Sequence, residues 1–176
     1  MEEDDSALAL DVRRKIYETI DKSPALHFRE IQRRTGVGVG ALQYHLEFLR
    51  KSQLLRAEKD GKFVRYFSVR GKQLGEQGKE MSLLRQDSIR KIVLHLLTHK
   101  RSNNLSISKA VGLSPPTTSW HLNKLIEAKI VEKRRRGRKS FFYLTDKGKT
   151  AELIVEHRKS FLDEMVDNFA EVWEEL

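Results

Sequence analysis

One displacement organises the whole sequence. Moved along by 76 positions, the chain falls on itself without a gap from Arg14 to Phe67. Arg14-Lys15-Ile16 lands on Arg90-Lys91-Ile92, Ile31 on Ile107 and Gly36 on Gly112. Tyr44-His45-Leu46 lands on Trp120-His121-Leu122, Leu49 on Leu125, Leu54-Leu55 on Ile130-Val131 and Gly61 on Gly137. A repeat of this kind constrains the fold before any single element is considered. Two copies of a unit of about 60 residues account for most of the chain, and each is large enough to be a small independent domain.

Both copies carry the same order of elements. In the first, Val12, Ile16 and Ile20 recur at helical spacing. A short segment follows from His27 to Arg34, with Phe28 and Ile31 facing inward. Thr35-Gly36 breaks it, because glycine accepts the positive φ of a helix end. A third helix is predicted from Val39 to Ser52, with Leu42, Leu46, Leu49 and Gln53 on one stripe. Two alternating runs, Leu54 to Lys59 and Lys62 to Val69, are joined by Asp60-Gly61, a hairpin turn signal. The second copy opens with Ile89, Ile92, Val93, Leu96 and Leu97, N-capped by Asp87 or Ser88. Its second helix runs from Leu105 to Val111 and stops at Gly112. Ser114 caps the third helix, and Pro115 takes its first position, where a missing N–H costs nothing. Thr118, Leu122, Leu125 and Ile126 form the inner stripe, and a hairpin from Lys129 to Leu144 turns at Arg136-Gly137.

Charge is laid out in blocks. The net charge is +9, yet residues 1–11 carry −5, residues 12–72 carry +9, residues 87–149 carry +11 and residues 150–176 carry −6. A basic body between acidic ends points to a polyanionic partner, nucleic acid first among them. The other reading is a solvated surface rich in Lys, Arg and Glu. The chain has no cysteine, which excludes a disulfide framework, a thiolate zinc site and a cysteine nucleophile. No stretch approaches the ~18 apolar residues of a membrane span. The acidic start, Glu2-Glu3-Asp4-Asp5, is the opposite of a secretory leader. The expectation is a cytoplasmic protein with no membrane partner.

Helix, helix–turn–helix and hairpin make the winged helix-turn-helix plan. Gly40-Ala41-Leu42-Gln43-Tyr44-His45-Leu46-Glu47-Phe48-Leu49 and Thr118-Ser119-Trp120-His121-Leu122-Asn123-Lys124-Leu125 resemble the third-helix signature of ArsR/MarR-like winged-helix regulators. In that family a His-Leu pair is followed by Leu three residues later. Leu26-His27-Phe28-Arg29-Glu30-Ile31-Gln32-Arg33-Arg34 resembles archaeal-type regulators with two such domains. Thr145-Asp146-Lys147-Gly148-Lys149 resembles the strand end after a MarR-type wing. The resemblance covers residues 12–149 and implies a mainly α (α+β) fold of two tandem winged helix-turn-helix domains. The expected divisions are an acidic segment 1–11, a first domain 12–70, a linker 71–86, a second domain 87–145 and a long C-terminal amphipathic helix 146–176. The implied function is DNA-binding transcription regulation on the nucleoid, with double-stranded DNA as partner.

At 100° per residue, with Leu122 inward, Thr117, Trp120 and Lys124 point outward, with Pro116 and Asn123 beside them and His121 on the flank. Such a face suits the major groove. Ser114, Thr117, Thr118, Trp120, His121 and Lys124 are therefore candidate DNA contacts; Trp120 alternatively tucks against a neighbouring helix. In the first copy Gln43 and Tyr44 take the corresponding place. There Tyr44 and Phe48 point outward behind Gly38 and Gly40, a poor base reader and a fair protein contact. The alternative is that both pack within the chain. The second wing is the sharpest signal: Lys133, Arg134, Arg135, Arg136, Arg138 and Lys139 surround one hairpin tip. Such crowding is unfavourable unless solvated or neutralised, and a wing tip reaches the minor groove. Six phosphate contacts would give log K against log salt a slope of about −5. The first wing is milder, with Lys59, Lys62 and Arg65. Arg13, Arg14, Lys15, Arg90 and Lys91 lie near first-helix starts.

In the tail, Val155, Leu162, Phe169 and Leu176 recur every seven residues, with Val166 and Trp173 on the alternate seam. That spacing predicts a coiled-coil-like dimer helix and a homodimer; folding back on its own domains is the other reading. In the linker, Leu74, Met81, Leu83 and Leu84 are apolar. His95 and His99 have a metal-ligand spacing but no cysteine or carboxylate partner beside them, so no metal and no cofactor is expected. No phosphate loop, nucleophile elbow or zinc-protease motif occurs, and the chain reads as no enzyme. Two other classes stay open: an architectural, non-sequence-specific DNA binder, and a winged-helix docking module that contacts a protein of the transcription machinery.

Overall fold

A computed structural model describes residue 8, residues 10–70 and residues 76–161. The chain divides into two compact units, Met1–Ser82 and Leu83–Leu176. The first holds α1 (Asp11–Lys22), β1 (Leu26–His27), α2 (Phe28–Thr35), α3 (Val39–Lys51), β2 (Leu55–Asp60) and β3 (Phe63–Ser68). Helix α4 (Glu76–Leu84) follows, and the boundary between the units falls inside it. The second unit holds α5 (Asp87–Thr98), α6 (Asn104–Val111), α7 (Pro115–Glu127), β4 (Val131–Arg136) and β5 (Lys139–Leu144). Its last elements among the described residues are α8 (Lys147–Glu156) and α9 (Arg158–Phe161). Adding 76 to both bounds of α1, α2, α3, β2 and β3 gives the bounds of α5, α6, α7, β4 and β5.

The repeat works because the same helix faces are apolar. Ile16 and Ile20 of α1, Ile31 of α2 and Leu42, Leu46 and Leu49 of α3 meet Leu26, Leu54 and Leu55 in one buried cluster. In the second unit Ile92, Leu96, Ile107, Leu122 and Leu125 are fully buried in the matching places, and Ile89 and Val93 are buried where the first unit has Arg13 and Tyr17. Burying each such side chain is worth about 1.5–3 kcal/mol. Each winged helix then adds a hairpin. In the first unit the antiparallel strand order is β1-β3-β2, with Leu26 opposite Tyr66 and Asp60 opposite Phe63. In the second, β4 pairs β5 antiparallel, and a single bridge joins Ser102 to Phe142 where the first unit pairs Leu26 with Tyr66.

Several sequence expectations shift. Strand β1 leaves no signature in the sequence, because two residues are too few to alternate. The hairpin loops are Gly61-Lys62 and Gly137-Arg138, one residue beyond the expected pairs; Asp60 and Arg136 stay in their strands. Gly61 and Gly137 take φ +59 and +60, the sign a first loop residue needs in a type II′ turn. Gln53 is not on the core stripe of α3; it leaves the helix at φ 55 and is exposed. The N-cap of α5 is Gln86, with Asp87 already inside the helix and paired to Lys91 at 2.9 Å. The expected linker 71–86 contains helix α4, whose Met81 and Leu84 are buried.

The continuous helix expected from residue 146 breaks at His157, between α8 and α9. Asp146 caps α8 by accepting the Lys149 N–H at 2.9 Å. The break brings Ser160 to Arg85, whose guanidinium donates to the Ser160 carbonyl at 2.7 Å and to its hydroxyl. The guanidinium carbons of Arg85 and Arg90 lie 5.2 and 5.1 Å from the Phe161 ring centre. The buried stripe is therefore Ala151, Ile154, His157 and Phe161, and the expected seam residue Val155 is half-buried beside it. The remaining seam residues, Leu162, Val166, Phe169, Trp173 and Leu176, lie outside the described residues.

Candidate nucleic-acid interface

The third helix of the second winged helix-turn-helix is α7, and local chemistry fixes its start. Gly112 closes α6 in the left-handed region, at φ 69. Ser114 Oγ accepts the Thr117 N–H at 3.3 Å and lies 2.8 Å from its hydroxyl, while Pro115 fills the first turn. The seam between α6 and α7 is polar as well as apolar. Thr118 Oγ1 accepts from Ser108 Oγ at 3.0 Å. Asn104 Nδ2 donates to Ser119 Oγ at 2.8 Å and to the Pro115 carbonyl at 3.3 Å. Periodicity does not mark these bonds; the N-cap Asn103, which accepts the Ser106 N–H, is the available signal that α6 starts there.

The outward face of α7 is as the helical projection requires. Ser114, Pro116, Thr117, Trp120 and Asn123 are exposed, and Trp120 keeps 55% of its surface open. Lys124 Nζ sits 3.9 Å from the Trp120 ring centre, a cation–π contact that holds both side chains at the surface. Two candidate contacts are withdrawn by burial. Thr118 has no exposed surface, since it belongs to the α6–α7 seam. His121 is 7% exposed, and its Nδ1 has no hydrogen-bond partner among the described residues. Burial, then the nearby Lys124 charge, lower its pKa, so its imidazole is neutral at pH 7.

Beside this face stands the β4–β5 wing. Lys133, Arg134, Arg135, Arg136, Arg138 and Lys139 are all exposed. Arg134 is held by Glu132 at 2.5 Å and lies over the Tyr143 ring at 5.1 Å. Arg135 Nε donates to the Gly137 carbonyl at 3.1 Å, which shapes the tip. Lys133, Arg136, Arg138 and Lys139 form no ion pair among the described residues. Arg101, which the sequence pattern does not single out, packs its guanidinium 5.1 Å from the Phe141 ring of β5. Its place before the Ser102 bridge is visible only with the third strand position.

The first unit keeps the frame and changes the surface. Arg65 is withdrawn as a DNA contact: it is 4% exposed, with Nε 3.2 Å from Asp60 and Nη1 3.6 Å from Glu30, and it donates to the Ala25 carbonyl at 3.2 Å. Lys59 and Lys62 stay exposed on the wing, and Gln43 and Tyr44 on α3. Phe48 is not outward; it is half-buried under Arg13, whose guanidinium carbon stands 3.6 Å from the ring centre. Arg13 also donates from Nε to His45 Nδ1 at 3.4 Å, the partner that His121 lacks because Ile89 replaces arginine. Arg90 is likewise buried, bonded to the Leu84 carbonyl at 2.8 Å.

His95 and His99 stack with ring centres 4.1 Å apart, and His95 Nε2 lies 3.0 Å from Ser102 Oγ. No cluster of three or more metal-ligating side chains occurs among the described residues. No helix among them is long and apolar enough to cross a membrane.

Two family models match the chain. One, described as an N-terminal HTH domain, covers residues 10–77; the other, described as winged helix-turn-helix DNA-binding, covers residues 85–132. An uncharacterized HTH-type transcriptional regulator of Methanocaldococcus jannaschii, MJ1398, is 26% identical over 145 residues, or 82% of this chain and 36% of that protein. An uncharacterized HTH-type transcriptional regulator of Bacillus subtilis, YdfF, is 34% identical over 68 residues, or 39% of this chain and 30% of that protein. The chain thus spans about a third of the length of these curated relatives. The solved structure of reduced HlyU from Vibrio cholerae aligns with 48% of this chain and 87% of its own at TM-score 0.42 and 20% identity.

Proposed function

We propose that this chain, which carries two winged helix-turn-helix domains in tandem, is a DNA-binding transcription regulator whose second domain is the reader. Helix α7 enters the major groove with Thr117, Trp120, Asn123 and Lys124, and Ser114 contacts the backbone at its start. The β4–β5 wing lies along the adjacent minor groove. The observation that carries this reading is the exposed cluster of six cations at a wing tip beside an exposed reading helix. Only Arg134 there is ion-paired among the described residues, so the remaining charge is available to phosphates.

The test is a titration of duplex DNA at several salt concentrations, with wild type and with an Arg134→Ala, Arg135→Ala, Arg136→Ala variant. Wild type should give a steep salt dependence, and the variant should lower the slope by about 0.9 for each phosphate-binding arginine removed. An unchanged slope and affinity would remove the wing from the interface. Competition with selected and scrambled duplexes separates a sequence reader from an architectural binder, since equal competition would refute sequence-specific regulation.

A further inference from the structure

The duplication supplies an internal comparison of the two reading surfaces. Where the second unit has Asn104, Lys124, Lys139 and Ser140, the first has Phe28, Phe48, Phe63 and Val64. Where the second wing reads Arg134-Arg135-Arg136-Gly137-Arg138, the first reads Glu58-Lys59-Asp60-Gly61-Lys62. The frame is the same residue for residue, so the difference lies in what the surface meets. Cations and polar groups have been exchanged for aromatic and aliphatic ones, which disfavours a phosphate backbone and favours apolar burial.

Two of the exchanged residues, Phe28 and Phe48, share a groove with further apolar side chains. Phe28, Val39, Tyr44, Phe48 and Tyr66 line a groove of about 850 Å³ along α3. Val39 and Tyr44 are 56% and 61% exposed, and Phe63 and Val64 expose 39% and 45% of theirs on the wing. Exposed apolar side chains gathered along a groove, as Val39 and Tyr44 are, mark an interaction site. Glu47, Arg50 and Lys51 also line the groove; Arg50 pairs with Glu47 at 2.9 Å, and Lys51 is exposed with no ion pair among the described residues. The groove therefore pairs an apolar floor with a margin that keeps one cation, Lys51, without an ion pair among the described residues.

One segment of this chain matches that chemistry. Residues 162–176 contain Leu162, Met165, Val166, Phe169, Val172, Trp173 and Leu176, apolar positions at helical spacing, and six acids with no base. The apolar set is wider than the two-in-seven seam of a two-stranded coiled coil. Two such segments side by side would also bring −6 against −6, whereas the basic block of residues 12–72 carries +9. We propose that the first unit's groove is a protein-docking site for residues 162–176 of a second copy of this chain, so that each copy's acidic apolar segment seats on the other's α3. The homodimer is then held by reciprocal exchange rather than by pairing of the two tails. This rests on reading the second unit, not the first, as the DNA-contacting surface.

The test uses the full chain without DNA. Tyr44→p-benzoylphenylalanine places a photo-cross-linker in the groove at an exposed position. Irradiation should give a species of doubled mass whose cross-linked peptide lies in residues 162–176, found between differently isotope-labelled copies. Val39→Glu with Tyr44→Glu should raise the dimer dissociation constant by more than about tenfold, measured by analytical ultracentrifugation. Removal of residues 162–176 should do the same. Circular dichroism and thermal melts report whether each variant folds, and the cross-link, made on an otherwise intact chain, decides if one does not. Cross-links confined to a single chain or to other residues would overturn the proposal. So would a dimer that survives the deletion. Because no DNA is needed, failure here leaves the DNA-contact reading of the second unit standing, and the salt titration tests that reading separately.

Discussion

Single residues decide what each surface offers. Thr118 is buried because its hydroxyl closes the seam to Ser108. Thr118→Val should destabilise the chain by about 1 kcal/mol in urea unfolding, the worth of one buried hydrogen bond. The histidines make a pH prediction. Burial lowers the pKa of His27, His45, His95, His121 and His157 from the ordinary value. Each prefers to be neutral when folded, so the unfolded state binds more protons as pH falls through about 6.5. The stability these groups contribute is full above that value and is lost as pH falls toward and through the lowered folded values. Thermal melts should therefore give a lower Tm at pH 5 than at pH 7.5. His121→Gln should shrink that difference, because the group withdrawn has no partner for its Nδ1.

At the scale of elements, turns and caps set where α7 starts and points. Gly112 sits at φ 69 with nothing within 4 Å of where a Cβ would stand, so the obstacle to a side chain there is backbone conformation rather than space. Gly112→Ala should cost about 1–2 kcal/mol of stability by denaturant titration, the penalty of left-handed geometry for an L-residue with a Cβ. Ser114→Ala removes an N-cap whose Oγ accepts the Thr117 N–H, and should cost about 1 kcal/mol in the same assay. The helix bounds were close to legible from sequence because glycine, proline and serine mark them. The hairpin loops were misplaced by one residue, since Asp60-Gly61 and Gly61-Lys62 are both plausible pairs until strand register chooses. The break at His157 is not legible in the sequence, because periodicity alone does not register that the Arg85 guanidinium bonds the Ser160 carbonyl.

At the scale of the whole molecule, the two units share a frame and divide the chemistry. The asymmetry predicts unequal responses to charge removal. Lys59→Ala with Lys62→Ala in the first wing should change the salt slope of DNA binding far less than the fall of about 2.7 expected for three wing arginines of the second. Filter binding at graded salt measures both. The chain's charge blocks were legible as a pattern, but which cations face solvent was not. Arg65 and Arg90 count toward the basic total and are nonetheless buried in local pairs.

What the sequence determined by itself was the duplication, and with it the fold. A fixed offset of 76 carries every matched helix and strand bound, because the same spacing of apolar residues must bury the same faces. It also determined the outward placement of Thr117, Trp120 and Lys124 and the concentration of charge at the second wing. Tertiary structure alone decided which candidates lie at the surface. His121 and Arg65 have polar side chains at positions where periodicity permits exposure, but neighbouring elements close over them, while Thr118, already on the inner stripe, is sealed by Ser108. The contacts that do so, from Ser108, Glu30, Asp60 and the Ala25 carbonyl, come from other elements or across a turn, and a one-dimensional pattern does not encode which distant groups will meet.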